Sequence, residues 1–205
     1  MYAQDWPNLN RYQEQNTRLM DSLPTDSLTV FMGNSITEGW INQRPEYFQN
    51  KGFVNRGIGG QTTPQMLIRF RQDVIDLHPK AVVILAGIND IAGNTGPSTQ
   101  KMIEDNIQSM CELALQNNIK VYLCSVLPAY DFPWRPGLAP AEKVISLNNF
   151  LKDLAQEKAL VYVDYHSEMV DEKGGLKANL GDDGVHPNAE GYKIMERILN
   201  NTLLD

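Results

Sequence analysis

Residues Ala81–Asp90 read AVVILAGIND. An unbroken apolar run, β-branched at Val82, Val83 and Ile84, stops on Gly87, and Asn89 and Asp90 follow at once. A strand with one face in water alternates apolar and polar residues. Apolarity on successive positions belongs to a strand covered on both faces. Ile119–Val126 (IKVYLCSV) has the same character, and shorter apolar runs lie at Leu28–Met32, Phe53–Ile58 and Leu160–Asp164. Between these runs the apolar residues are spaced by three and four. Met66, Leu67, Phe70, Val74 and Leu77 mark a helix over Thr63–Leu77, and Met102, Ile103, Ile107, Met110, Leu113 and Ala114 mark one over Ser98–Gln116. Further helices are expected over Ala141–Lys158, Asn188–Leu199 and Leu9–Met20. Strand and helix in regular alternation predict an α/β fold, a parallel sheet with helices on both faces. No linker or repeat interrupts it. A single domain over residues 1–205 is expected, with residues 1–26 as a helical extension packed on it.

The chain has 205 residues, 42% of them hydrophobic, enough for a core that needs no metal or disulfide staple. Its formal net charge is −7 and lysine and arginine form no block, which argues against nucleic acid or an anionic membrane as partner. No apolar run reaches the roughly 18 residues of a membrane span. Met1–Asn10 is polar and lacks the apolar centre of an export signal. The chain as it stands thus reads as cytoplasmic, or as periplasmic or secreted if a signal has been removed. Cys111 and Cys124 read as buried thiols, although the sequence leaves a bridge between them open.

The polar residues just past the strands carry the chemistry. Gly33-Asn34-Ser35 follows the first run, Gly57-Ile58-Gly59-Gly60-Gln61-Thr62 the second, and Gly87-Ile88-Asn89-Asp90 the third. Asp182-Asp183-Gly184-Val185-His186-Pro187 lies beyond the fifth. In a parallel sheet these segments meet at one rim, the carboxyl edge where ligands bind. Two long loops, Gly87–Pro97 and Leu127–Pro140, leave the same edge.

Ser35 has two readings. With Glu38 three residues on, it forms a capping box at a helix start. Alternatively it is a nucleophile, and then it needs a base, because a serine hydroxyl is too weakly acidic to attack unaided. Of the three histidines, His78 enters the third strand from the opposite edge and His166 is a minor rival. His186 sits in a turn with Asp183 three residues before it, where a carboxylate can fix the imidazole tautomer and stabilise the imidazolium. The backbone amides of Ser35 and Gly60 and the side-chain amide of Asn89 would serve as oxyanion donors. Asn188 reads as the N-cap of the last helix.

These segments resemble the conserved blocks of the SGNH hydrolases, the GDSL-type lipases and esterases. The match carries Ser35, Gly60, Asn89, and Asp183 with His186, in family order across residues 31–188. The resemblance implies a flavodoxin-like three-layer α/β/α sandwich with strand order 2-1-3-4-5. It also implies a metal-independent, cofactor-free ester hydrolase with Ser35, Asp183 and His186 as triad and Ser35, Gly60 and Asn89 as oxyanion hole. Asn34 stands where the family name has aspartate. Thr37 breaks the Gly-x-Ser-x-Gly elbow of the other α/β-hydrolases.

The expected partner is a small-molecule or glycan acyl ester with a short acyl group, acetyl esters of carbohydrates being favoured. Lysophospholipids and thioesters are the alternatives within the family. Asn34, Trp40, Tyr130 and Trp134 are candidate substrate contacts, with Phe132 beside them, and Arg56 and Arg135 read as exposed arginines. Three rivals fare worse. A non-catalytic carbohydrate-binding module should have lost a triad member. A phosphate loop at Gly57–Thr63 lacks both glycine signatures. A metal site on Asp182, Asp183, His166 and His186 is poor in histidine.

Overall fold

The structure, a computed structural model, describes residues 5–22, 27–49 and 51–204. The expected N-terminal extension is therefore described from Asp5 to Ser22, and its remainder lies outside the described residues.

Five strands form one parallel sheet in the order β2-β1-β3-β4-β5: β1 Thr29–Gly33, β2 Phe53–Gly57, β3 Ala81–Leu85, β4 Lys120–Cys124 and β5 Val161–Val163. The helices are α1 Gln13–Ser22, α2 Ser35–Gln43, α3 Pro45–Phe48, α4 Thr63–Asp73, α5 Ile88–Ile91, α6 Gln100–Gln116, α7 Ala141–Glu157, α8 His166–Met169 and α9 Ala189–Leu204. This is the order implied by the family resemblance.

Strand side chains alternate between two cores. Val30, Met32, Val82, Ile84, Val121 and Leu123 meet Met66 and Phe70 of α4, Ile103 and Ile107 of α6, and Val144 and Leu147 of α7. Phe31, Val83, Leu85, Tyr122 and Cys124 face the other way, onto Ile36 and Trp40 of α2, Tyr47 and Phe48 of α3, Met169 of α8, and Tyr192, Met195 and Leu199 of α9. Continuous apolarity in β3 follows from this, because both its faces are buried.

The second core is aromatic. Trp40 stacks on Tyr47 and Tyr192 with centroids 5.4 Å away in each case, and meets Phe31 edge-on at 5.7 Å. Its indole N–H donates to Glu196 Oε1 at 3.3 Å, and Glu196 is paired with Arg44. Trp40 is 1% exposed, so the expectation that it touches substrate is corrected. Phe132, 0% exposed, belongs to the first core and is likewise not a contact residue.

Arg56 is buried too, contrary to its reading as a surface arginine. Its Nε and Nη2 donate to Asn16 Oδ1 at 2.9 and 2.7 Å, and Asn16 Nδ2 donates to Asp73 Oδ1 at 2.8 Å. The Tyr12 hydroxyl donates to the Gly57 carbonyl, and Gln61 Nε2 donates to the Pro7 carbonyl at 2.7 Å. The N-terminal extension is thus bolted to β2, α4 and the loop after β2. Cys111 and Cys124 are both buried and unbridged, and burial pushes each thiol up to about 12. No helix among the described residues is long and apolar enough to cross a membrane.

Candidate active site

Parallel register brings the site together. Gly33 pairs with Gly57 on one side and Leu85 on the other, so β1, β2 and β3 end level and their loops leave from one edge. Helix α2 begins at Ser35, immediately after β1. It packs so closely on β2 that a Cβ at Gly57 would lie 2.1 Å from the Glu38 nitrogen, which only glycine avoids.

The cap of α2 differs from the expected box. Asn34 is the N-cap, its Oδ1 accepting from the Ile36 amide at 3.2 Å, and Ser35 is the first helical residue. A serine inside the first turn cannot cap, so its hydroxyl is left for other partners. Asn34 is 1% exposed and committed to this cap, so it is corrected from substrate contact to scaffold. Glu38 turns away from the backbone it was expected to satisfy: Oε2 accepts from the Gly59 amide at 2.9 Å and Oε1 pairs with Arg11 at 3.2 Å.

Ser35 Oγ lies 2.9 Å from His186 Nε2, and His186 Nδ1 lies 2.6 Å from Asp183 Oδ2. The other Asp183 oxygen accepts the amides of Val185 at 2.9 Å and His186 at 2.7 Å. The carboxylate therefore holds both the turn and the ring. Burial pushes its pKa up, but the His186 amide and imidazole and the Val185 amide outweigh that and hold it below the usual value. An ionised Asp183 keeps the ring proton on Nδ1, which leaves Nε2 to accept the Ser35 hydroxyl proton. Behind the turn, Asn188 Oδ1 caps α9 through the amides of Glu190 and Gly191 at 3.0 and 3.1 Å, as the sequence predicts.

The second loop approaches Ser35, and the third is bonded to the second. A Cβ at Gly59 would lie 3.9 Å from Ser35 Cβ. Gly60 has φ +76°, with nothing within 4 Å of where a Cβ would stand, so backbone conformation rather than crowding calls for glycine there. Asn89 Nδ2 donates to the Gln61 carbonyl at 3.0 Å. An NH2 group carries two protons, so this bond positions the amide and leaves one donor available. Next to it, Asp90 accepts from the Thr63 amide and hydroxyl, anchoring the start of α4.

Of the loop aromatics, Trp134 is 45% exposed with its ring 6.0 Å from that of His186, and Nε1 donates to Asn94 Oδ1 at 3.3 Å. Asn94 Nδ2 donates in turn to the Gly60 carbonyl at 3.4 Å. Asn94, which sequence reasoning passed over as loop, thus joins the two sides of the cleft. Tyr130 is 61% exposed and lines a cavity of about 320 Å³ with Asp183 and Gly184. Arg135 donates to the Ala92 carbonyl at 2.6 Å, tying the two long loops to each other. His166 is not brought to this cleft. It begins α8, with its backbone amide on Ser125 Oγ.

Residues 26–194 match the GDSL-like lipase/acylhydrolase family. The chain belongs to that family, within the SGNH hydrolase superfamily. A crystal structure of a Bacteroides fragilis protein proposed to be an acylhydrolase is 47% identical, with a TM-score of 0.93 over 98% of each chain. An acetylxylan esterase of Xylanibacter ruminicola is 26% identical over 82% of this chain and 41% of its own length. A Bacillus subtilis lipoprotein, YqeF, is 37% identical over 40% of this chain and 35% of its own. This GDSL-family chain thus spans well under half the length of the curated relatives it matches.

Proposed function

We propose that the protein is a serine carboxylic ester hydrolase acting through an acyl-enzyme on Ser35. The observation that carries this reading is the unbroken relay from Ser35 Oγ through the His186 ring to Asp183. Ser35 Oγ bonds to the ester carbonyl carbon as its proton passes to His186 Nε2. The amides of Ser35 and Gly60 and the free N–H of Asn89 receive the developing oxyanion. The alcohol leaves with the proton from His186. Water then enters, gives its proton to the same nitrogen and releases the acid, restoring Ser35. Asp183 stays ionised throughout and stabilises the imidazolium.

An acetyl group on a carbohydrate is the favoured substrate, supported by likeness to an acetylxylan esterase and by exposed Tyr130 and Trp134 beside the triad. Aromatic faces of this kind suit the apolar face of a sugar ring. Likeness to a lipoprotein favours an exported location over a cytoplasmic one.

The test is hydrolysis of p-nitrophenyl acetate by wild type and Ser35→Ala. Wild type should turn over and the variant should retain its fold and lose turnover to background. Equal activity in the two would reject the nucleophile.

A further inference from the structure

A second cavity, also of about 320 Å³, has Ser35 at one end and lies between α2 and the N-terminal extension. Ser35, Glu38, Gly39 and Asn42 line it from α2, at spacings of three and four that place them on one face, with Ile41 beside them and Asn55 of β2 next to the helix. At about 1.5 Å per residue this wall runs roughly 10 Å from the nucleophile. The opposite wall is Arg11, Tyr12 and Gln15, contributed by a segment that the remainder of the catalytic cleft does not use.

The chemistry of the lining is specific. Arg11 and Glu38 are the charged residues in it and they pair with each other at 3.2 Å, so the groove presents no uncompensated charge. Gln15 and Asn42 are exposed and their amides enter no hydrogen bond among the described residues. Tyr12 closes the wall without offering a face, since it is buried, its ring lies under the Arg11 and Arg56 guanidinium groups, and its hydroxyl is spent on Gly57. A phosphate headgroup calls for uncompensated cations, and an acyl chain calls for apolar walls. Two amides and a neutralised ion pair, with Ile41 the one aliphatic side chain beside them, instead match the hydroxyls of a neutral sugar. The walls are fixed, because the extension is held by Asn16, Gln61 and Arg56.

We infer that this groove is the subsite for the alcohol part of the ester, a neutral oligosaccharide of about two rings. Gln15 and Asn42 are its specificity-determining residues, and the N-terminal extension is part of the substrate site. This rests on the ester-hydrolase reading above.

The experiment compares kcat/KM for acetylated xylobiose, acetylated lysophosphatidylcholine and p-nitrophenyl acetate in wild type and in Gln15→Ala/Asn42→Ala. Both positions are exposed, so circular dichroism should report an unchanged fold. The ratio of xylobiose ester to p-nitrophenyl acetate should fall about tenfold or more, the cost of two lost hydrogen bonds. The lysophospholipid ratio should not move. A constant xylobiose ratio, or a shift confined to the lysophospholipid, overturns the inference while leaving the hydrolase reading intact. Failure of wild type on all three substrates would instead remove the hydrolase reading itself.

Discussion

Arg69 Nη2 donates to the Gly33 carbonyl at 3.0 Å, two residues before Ser35 in the chain. The same guanidinium gives Nε to Gln61 Oε1 at 2.6 Å and Nη1 to Asp73 Oδ2 at 3.0 Å. One 0% exposed side chain from α4 thereby ties the end of β1 to the loop that carries Gly60. Burial lowers its pKa, with Asp73 pulling the other way.

Replacing Arg69 by Met leaves Asp73 buried without its ion-pair partner and Gln61 Oε1 without its donor, while the Gly33 carbonyl keeps only the Ile58 amide at 3.2 Å. Breaking a buried pair in this way costs about 3–5 kcal/mol. Urea unfolding should show a midpoint lowered to match. A midpoint equal to wild type would mean that the network contributes no stability.

Asp183 and Asp182 are neighbours in sequence, but only Asp183 reaches the ring. Asp183→Asn should reduce kcat by about 10⁴, the cost of the wrong imidazole tautomer. Asp182→Asn should stay near wild type, since Asp182 is exposed and outside the relay. Equal losses in both would mean that the carboxylate acts through general charge and not through Nδ1.

Burial pushes the Asp90 carboxyl up to about 6, against the pull of the Thr63 hydroxyl and amide. The unfolded value lies near 3.9. Between those two values the folded state binds the proton more tightly, so this group stabilises the fold at low pH and loses that contribution as pH rises from about 4 to 6. The swing is on the order of 3 kcal/mol. Asp90→Asn keeps an acceptor for Thr63 and cannot ionise. Its Tm should therefore gain on wild type across that pH range. Parallel Tm profiles would contradict the shift.

The fold was legible because burial on both faces writes itself into AVVILA and IKVYLCSV, and because helical spacing separates the runs. Ends were less legible. The expected helix over Thr63–Leu77 closes at Asp73 and resumes as a 3-10 turn at Ile75–Leu77, and α3 and α8, of four residues each, are too short for periodicity to register. Ser35, His186 and Asp183 could be placed at one rim because strand ends in a parallel sheet share an edge. Side-chain direction could not be placed so easily. Trp40 lies five residues past Ser35 in sequence, yet α2 turns it into the aromatic core. Glu38 fits a capping box by spacing, but Asn34 takes the cap and frees it for Gly59 and Arg11. The Arg69, Arg56 and Asn16 network and the Asn94 bridge depend on contacts across distant segments, for which local spacing carries no signal.

The central claim is that substrate acyl groups pass through a covalent bond to one hydroxyl. Wild-type protein mixed with p-nitrophenyl acetate, quenched in acid within the first turnover and mapped by peptide mass spectrometry reads this directly. The acetyl group should be found on the peptide holding Ser35 and nowhere else, and Ser35→Ala should carry none. Acetyl on another residue during productive turnover, or full turnover with Ser35 replaced, would contradict the account.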